Sequence, residues 1–221
     1  MLHRLLNFLF PEKCLLCRKL LADAETDLCH DCRKNAPVFT KPKNRISFVA
    51  RWTAVWYYKD TVRRSILRYK FYHARSYAPV FGRQLAMKIQ SANMEDFDIL
   101  TWVPVSRLRK FKRGYDQAEL LARAVARELG VCAVPCLVKI RHNRAQSGLK
   151  EPSQRRANVR GVYKVLAPEV VQDQRILLLD DVLTTGATVS ECAKVLHFAG
   201  AKEVLCAAIA VTPNEKNHTD M

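Results

Sequence analysis

The sequence predicts an α/β fold in which helices cover both faces of a parallel β-sheet, with a small cysteine-containing module placed before it. Three observations support this prediction. Apolar runs alternate with amphipathic segments after residue 98, four cysteines fall within the first 32 residues, and 49% of the 221 residues are hydrophobic. A repeated strand–helix–strand succession forms right-handed crossovers, which join parallel strands.

The chain divides into two predicted parts, a cysteine module at residues 1–45 and an α/β domain at residues 46–215. A stretch containing Pro and Lys at residues 37–45 indicates a linker or an extended crossing between them. After it we expect one strand and two helices, at residues 49–58, 61–72 and 77–89.

The second half of the chain carries the alternating pattern. Asp116 with Glu119, and Thr188 with Glu191, have the spacing of a capping box at the start of a helix. Between these two helices, the polar and basic residues 141–158 predict a long mobile loop. Strands are predicted from apolar runs at residues 99–105, 134–138, 175–179 and 203–211.

Basic residues are in large excess. The formal net charge is +16, and residues 100–164 alone hold fifteen Lys and Arg against four Asp and Glu. Such a field attracts nucleic acid, nucleotides or polyphosphates, although a solvated surface that serves solubility has the same composition. We expect single-stranded DNA to contact Arg109, Lys110, Lys112 and Arg113. Aromatic residues among the basic ones either stack on bases or belong to the core: Tyr57, Tyr58, Tyr69, Phe71, Tyr72 and Phe111.

No apolar run approaches the roughly 20 residues that span a bilayer, so no membrane span is predicted. Residues 1–10 lack a cleavage site for a signal peptide and predict a short amphipathic helix that packs on the body. We therefore expect a cytoplasmic protein, whose eight cysteines are reduced thiols or metal ligands.

The most specific motif lies at residues 176–188, where an apolar strand leads into two acids, a turn and a helix. The start of a helix offers unpaired N–H groups and a positive dipole, which bind anions. Gly186 lets the backbone approach a phosphate, and the acids can accept hydrogen bonds from vicinal sugar hydroxyls. An Asp-Asp turn before a capped helix is the purely structural alternative. The predicted binding set is Asp180, Asp181, Thr184, Thr185, Gly186, Ala187 and Thr188.

The cysteine module contains two Cys-x2-Cys pairs, Cys14 with Cys17 and Cys29 with Cys32, which are eleven residues apart. Each pair can hold one side of a tetrahedral Zn²⁺, and four thiolates close the site, so the predicted zinc is structural. A module this short cannot build an adequate core, and a metal supplies the missing stability. Two disulfides, a redox Cys-x2-Cys, or His30 as a ligand are the alternatives.

Residues 177–188 resemble the signature of type I phosphoribosyltransferases. The resemblance implies that the acid pair holds the ribose of 5-phosphoribosyl-1-pyrophosphate, that the turn holds its 5-phosphate, and that Mg²⁺ accompanies this donor. Enzymes of the class that act on 6-oxopurines carry an Asp where this chain has Thr184, so the loop is closer to the orotate type. The acceptor stays open, and residues 46–95 are expected to build its pocket.

Further segments are similar to the competence protein ComF family: residues 103–106, residues 113–117 and a third block at residues 146–161. With the cysteine module, the resemblance covers nearly the whole chain. It departs at Asp116, where family members usually have Asn, a change that preserves helix capping. The resemblance implies a role in DNA uptake during natural transformation beside a helicase-like partner, and it leaves the small-molecule reaction unassigned.

Phosphoribosyl transfer needs Mg²⁺ and cationic or N–H donors at the leaving pyrophosphate. Ser106 and Arg107 follow a strand expected beside the acid pair, so we predict that both meet the pyrophosphate. Arg141, Arg144 and Gln146 lie in the predicted loop and are expected to close over the site. The three arginines are the predicted catalytic residues. Two alternative functions stay open. One is a non-catalytic protein that binds single-stranded DNA and keeps the site as a sensor, and the other is a scaffold that docks a partner.

Overall fold

The computed structural model describes residues 11–42, 44–72, 74–141, 159 and 161–213. Four of its strands form one sheet in the order β1, β6, β5, β2, in which every neighbouring pair is parallel, as predicted. The other two strands, β3 and β4, pair with each other in an antiparallel ribbon. In chain order the strands are β1 (Arg51–Tyr57), β2 (Ile99–Trp102), β3 (Leu137–Lys139), β4 (Tyr163–Val165), β5 (Arg175–Leu183) and β6 (Glu203–Val211).

Helices cover both faces of the sheet. In chain order the helices are α1 (His30–Asn35) in the cysteine module, then α2 (Asp60–Phe71), α3 (Tyr77–Ser91), α4 (Arg107–Arg113), α5 (Gln117–Leu129), α6 (Pro168–Val171) and α7 (Ala187–Phe198). Alternate residues of β5 serve opposite faces, because Leu177 and Leu179 join the apolar cluster under α2, α3 and α5, whereas Ile176 and Leu178 join the one under α7. Within the described ranges, no helix is both long and apolar enough to cross a bilayer.

Two predicted strands differ from the observed ones. β2 ends at Trp102 rather than at residue 105, and Pro104, which has no N–H to donate to a ladder, follows closely. The strand predicted at residues 134–138 is observed as β3, which begins at Leu137 and pairs antiparallel with β4. The sequence did not indicate β4, since a three-residue strand is too short to show a period.

Asp116 caps the start of α5, as the predicted capping box requires, but the side chain of Glu119 binds Lys110 and Arg123. The carboxylate of Asp116 accepts hydrogen bonds from the N–H groups of Ala118 and Glu119, at 2.9 and 3.2 Å. It also accepts one from the N–H of Val105 at 3.0 Å, so the same side chain joins the start of α5 to the loop after β2. Gly130 ends α5 with a left-handed φ of 69°.

The region around the acid pair differs in two respects. β5 continues through the pair instead of ending before it, because the backbone goes on pairing with β6. The capping box predicted for Thr188 and Glu191 is wrong, since α7 begins at Ala187 and both residues lie inside it. Gly186 occupies the cap position, and Glu191 accepts a hydrogen bond from the N–H of Gly161 at 2.7 Å.

The cysteine module packs directly on the α/β domain. Leu15 and Leu16 are almost fully buried and belong to the same apolar cluster as Phe81 of α3. Arg83 of α3 forms a bidentate ion pair with Asp27 of the module. The two parts therefore share a core, and the boundary at residue 45 stays a prediction.

Candidate active site and metal centre

A cavity of about 510 Å³ lies at the carboxyl edge of the parallel sheet, where β5 ends and α7 begins. Ligands of open α/β sheets bind at this edge. Five residues of the predicted binding set line the cavity, namely Asp180, Asp181, Thr184, Gly186 and Thr188. The acid pair and the glycine turn therefore share one cavity, as the motif requires.

Asp181 is held by side chains from two other elements. It is 5% exposed, and its Oδ1 lies 2.7 Å from the ammonium of Lys70 in α2. Its Oδ2 accepts a hydrogen bond from the amide Nε2 of Gln117, at the start of α5, at 3.1 Å. Both oxygens of this carboxylate thus have a fixed donor, and the position of the group is set by two helices.

Asp180 has a different electrostatic setting. Its Oδ1 accepts a hydrogen bond from the backbone N–H of Asp181 at 2.8 Å. Burial and, second to it, the adjacent charge of Asp181 raise the pKa of Asp180 to about 8, while Lys70 opposes the rise. The fold therefore favours the protonated form of Asp180 to a higher pH than a free aspartate.

The turn after the acid pair depends on Gly186. Its φ is 72°, a left-handed value, and a Cβ at this position would lie 3.1 Å from the side chain of Ile46. Directly after it, α7 presents the N–H groups of its first turn, which have no partner within the helix. Ala187 N–H donates to the hydroxyl of Thr185 at 3.4 Å. This geometry suits an anion such as a phosphate.

Four cationic side chains line the cavity: Arg63, Lys70, Arg109 and Lys139. Arg109 was predicted to bind nucleic acid, and the other three were missed. The ammonium of Lys139 lies 3.4 Å from the hydroxyl of Tyr163. Burial and, second to it, the charge of Arg109 lower the pKa of Lys139 to about 8. A lysine at the end of a short strand gave a weak signal, and Lys70 gave none, because its contact joins residues 111 positions apart.

Other predicted residues lie elsewhere. Ser106 is buried and caps α4, where its hydroxyl accepts a hydrogen bond from the N–H of Arg109 at 3.4 Å. Arg107 and Arg141 are exposed and do not belong to the lining formed by the described residues. Lys110 pairs with Glu119 at 3.1 Å. The structure does not describe Arg144 and Gln146. It also does not describe the side chains of Lys112 and Arg113.

The four predicted metal ligands converge. The Sγ atoms of Cys14, Cys17, Cys29 and Cys32 lie within 4.8 Å of one another, and those of Cys17 and Cys29 are 3.6 Å apart. A tetrahedral Zn²⁺ with Zn–S bonds of about 2.3 Å requires sulfur separations of about 3.8 Å. Three of the four thiols are buried. The cluster therefore fits a closed, structural zinc site.

Comparisons with known proteins agree with both parts. The family of phosphoribosyl transferase domains matches residues 116–221, and the double zinc ribbon domain matches residues 5–43. Competence protein F of Haemophilus influenzae is 26% identical over 90% of this chain and 96% of its own length. DNA utilization protein YhgH of Salmonella typhimurium is 26% identical over 88% of this chain and 94% of its own length. Competence protein ComFC of Streptococcus pneumoniae is 27% identical over 87% of this chain and 96% of its own length.

Among solved structures, the glutamine phosphoribosylpyrophosphate amidotransferase from B. subtilis superposes on 64% of this chain with 21% identity and a TM-score of 0.45. The matched part is 30% of that protein, so this chain spans less than a third of its length.

The similarity to the competence proteins runs through the zinc ribbon and the α/β domain alike, and the two matched domains follow one another in the order that the structure shows. The chain is therefore similar to competence proteins F and ComFC along nearly its whole length, and it has a type I phosphoribosyltransferase-like domain and an N-terminal four-cysteine zinc module.

Proposed function

We propose that this protein binds 5-phosphoribosyl-1-pyrophosphate with Mg²⁺ in the cavity at the carboxyl edge of the sheet. One observation carries the proposal: the acid pair and the glycine turn at the start of α7 line the same 510 Å³ cavity. A sugar phosphate needs both features, carboxylates for its hydroxyls and N–H groups for its phosphate.

Each group of the cavity has a role in this proposal. The turn from Thr184 to Thr188 holds the 5-phosphate, and the acid pair accepts hydrogen bonds from the ribose hydroxyls. Arg109 and Lys139 line the cavity as cations and face the pyrophosphate. The oxygen-rich lining suits Mg²⁺, which prefers carboxylates and phosphate oxygens and neutralises charge on the leaving group when bound. Arg107 at the pyrophosphate, and Arg141 and Arg144 in closure over the site, remain predictions.

If the protein is a transferase, the bond between the anomeric carbon and the pyrophosphate oxygen breaks, and an acceptor forms the new bond to that carbon. The electron pair of the broken bond leaves with pyrophosphate, so positive charge develops on the sugar in the transition state. The carboxylates of the acid pair stabilise that charge, and Arg109 and Lys139 stabilise the leaving group.

The test is titration calorimetry of the purified protein with 5-phosphoribosyl-1-pyrophosphate, with and without Mg²⁺, followed by a screen of acceptors for pyrophosphate release. We expect micromolar binding that depends on Mg²⁺. Absence of binding at millimolar donor would refute the proposal. Binding without pyrophosphate release for any acceptor would favour the sensor alternative.

A second candidate function is the binding of single-stranded DNA in the context of DNA uptake. Phe111, in the basic helix α4, is 87% exposed, and a side chain of this kind can stack on a base. The names of the relatives, competence protein and DNA utilization protein, point to the same context. A helicase-like partner belongs to this proposal and follows from the family resemblance alone.

A further inference from the structure

Three consecutive residues of α2, Arg68, Tyr69 and Lys70, make contacts with three separate parts of the protein. Lys70 reaches the acid pair, where its ammonium lies 2.7 Å from Asp181 Oδ1, and the two side chains are 19% and 7% exposed. An ammonium has three donors, so Lys70 can hold Asp181 and also donate to a ligand hydroxyl or phosphate oxygen.

Tyr69 fixes the same helix against the start of α5. Its ring is fully buried, its hydroxyl donates to the carbonyl of Gln117 at 2.6 Å, and its own carbonyl accepts from the hydroxyl of Tyr115. The side chain of Gln117 in turn donates to Asp181. Its Oε1 is buried without a hydrogen-bond partner among the described residues, and Gln117 lines the cavity, where a ligand hydroxyl can donate to that oxygen.

Arg68 and Ser65 hold the zinc knuckle, the turn from Cys14 to Cys17. The hydroxyl of Ser65 donates to the carbonyl of Leu15 at 2.6 Å. The guanidinium of Arg68 donates to the carbonyl of Leu16 at 2.7 Å and to that of Leu15 at 3.4 Å. Both carbonyls lie between the two cysteines, so their directions depend on how the knuckle folds around a metal.

One rigid helix therefore contacts the metal site through Arg68 and the acid pair through Lys70. A helix turn is about 5.4 Å long, so both contacts fall within a single turn. A displacement of the knuckle moves Arg68, and Lys70 moves with it because the helix backbone between them is continuous.

We propose that Lys70 is a positioning residue for the ribose of the donor and that the zinc knuckle sets its position through α2, so that the two sites are energetically coupled. This inference rests on the proposed function. Coupling of this kind is reciprocal, so a bound donor also retards the loss of zinc.

The first test measures the affinity for 5-phosphoribosyl-1-pyrophosphate with Mg²⁺ by calorimetry in full-length variants. We expect Lys70→Met to weaken binding about tenfold and Lys70→Arg to restore most of it, because the second variant keeps the cation. Arg68→Met should weaken binding about threefold while one zinc per chain is retained. The double variant Arg68→Met/Lys70→Met should bind no more weakly than Lys70→Met alone, since Arg68 acts through Lys70.

The control is Arg64→Met, which removes an exposed arginine from the same helix and should bind the donor like the parent. Thermal unfolding of every variant shows whether the fold is kept. The coupling would be overturned if the losses of donor affinity of the two single variants multiply in the double variant. It would also be overturned if Arg68→Met binds the donor like the control.

A second measurement does not depend on the donor. Amide hydrogen exchange over residues 180–188 should be at least threefold faster in Arg68→Met than in the parent and in Arg64→Met. If the parent does not bind the donor, the proposed function fails, and this measurement still decides whether the knuckle controls the acid pair. Unchanged exchange at residues 180–188 would overturn the inference whatever the donor result.

Discussion

Asp181 donates its backbone N–H to the carboxylate of Asp180 at 2.8 Å, while its own carboxylate is held by Lys70 and Gln117. The two adjacent acids are thus treated differently by the fold. Asp181 has a cationic partner, whereas burial and its neighbour raise the pKa of Asp180 to about 8. This difference leads to a prediction about pH.

The unfolded chain loses the proton of Asp180 near pH 4, and the folded chain keeps it up to about pH 8. Between these values the native state binds more protons, so the free energy of unfolding falls as pH rises. Asp180→Asn removes this contribution. We expect the stability of the variant relative to the parent to increase by about 1 kcal/mol or more from pH 5 to pH 8.5, measured by urea unfolding.

Asp98→Asn is the control for the pH experiment. The guanidinium of Arg175 lowers the pKa of Asp98 to about 2, so its titration lies below the measured range. Its relative stability should not change with pH between 5 and 8.5. If the stability difference between Asp180→Asn and the parent is also independent of pH, the raised pKa of Asp180 is contradicted.

Asp181→Ala tests the ribose contact. The change removes an acceptor for ribose hydroxyls and leaves Lys70 without its partner. We expect donor affinity to fall at least tenfold, about 1.4 kcal/mol, the scale of one charge-assisted hydrogen bond. Calorimetry at saturating Mg²⁺ measures it. A variant that binds as tightly as the parent means that Asp181 has another role.

Purified protein should contain one tightly held Zn²⁺ per chain, because the Sγ atoms of the four cysteines lie within 4.8 Å of one another. Cys32→Ser should lower the zinc content and the unfolding temperature together. The matched control is Cys132→Ser, at an exposed cysteine outside the cluster, which should keep the metal. Elemental analysis decides, and mass spectrometry that finds native disulfides would count against the prediction.

Arg109 and Lys110 are neighbours in sequence but face different partners. Arg109 lines the cavity, whereas Lys110 pairs with Glu119 on the exposed side of α5. Arg109→Met should weaken donor binding by about tenfold, because the pyrophosphate loses one charged hydrogen-bond donor. Lys110→Met should leave it unchanged. Equal donor affinity in the two variants would argue against the position of Arg109 in the site.

Phe111→Ala tests DNA binding at α4. Removing one stacked base costs about 1–3 kcal/mol, so affinity for single-stranded oligonucleotides should fall at least fivefold. Phe198→Ala is the control, because Phe198 is also exposed but lies at the far end of α7.

Removing the charges of Lys110 and Lys112 should make DNA affinity less sensitive to salt. The slope of log affinity against log salt concentration should become less negative by about 0.7 for each phosphate that the protein no longer neutralises. If affinity for single-stranded DNA does not depend on salt, the proposal that this protein binds DNA is contradicted.

Local patterns predicted most of the fold. The four parallel strands, the cap at Asp116 and the cysteine cluster follow from apolar runs, a capping box and two Cys-x2-Cys pairs, all of which are contiguous or nearly so. Thr188 is an exception with a clear cause. The sequence spacing there matches a capping box, yet Gly186 occupies the cap because a left-handed φ at the glycine starts the helix two residues earlier.

The sequence by itself determined that a strand, an acid pair, a glycine turn and a helix follow one another, and hence where an anion and a sugar can bind. Only the tertiary structure decided which cations join them. Lys70 and Lys139 come from elements far from β5 in the chain, and Arg109 enters the cavity while the adjacent Lys110 does not. The physical reason is that backbone conformation depends mainly on neighbouring residues, whereas the direction of a side chain into a cavity depends on how whole helices pack against the sheet.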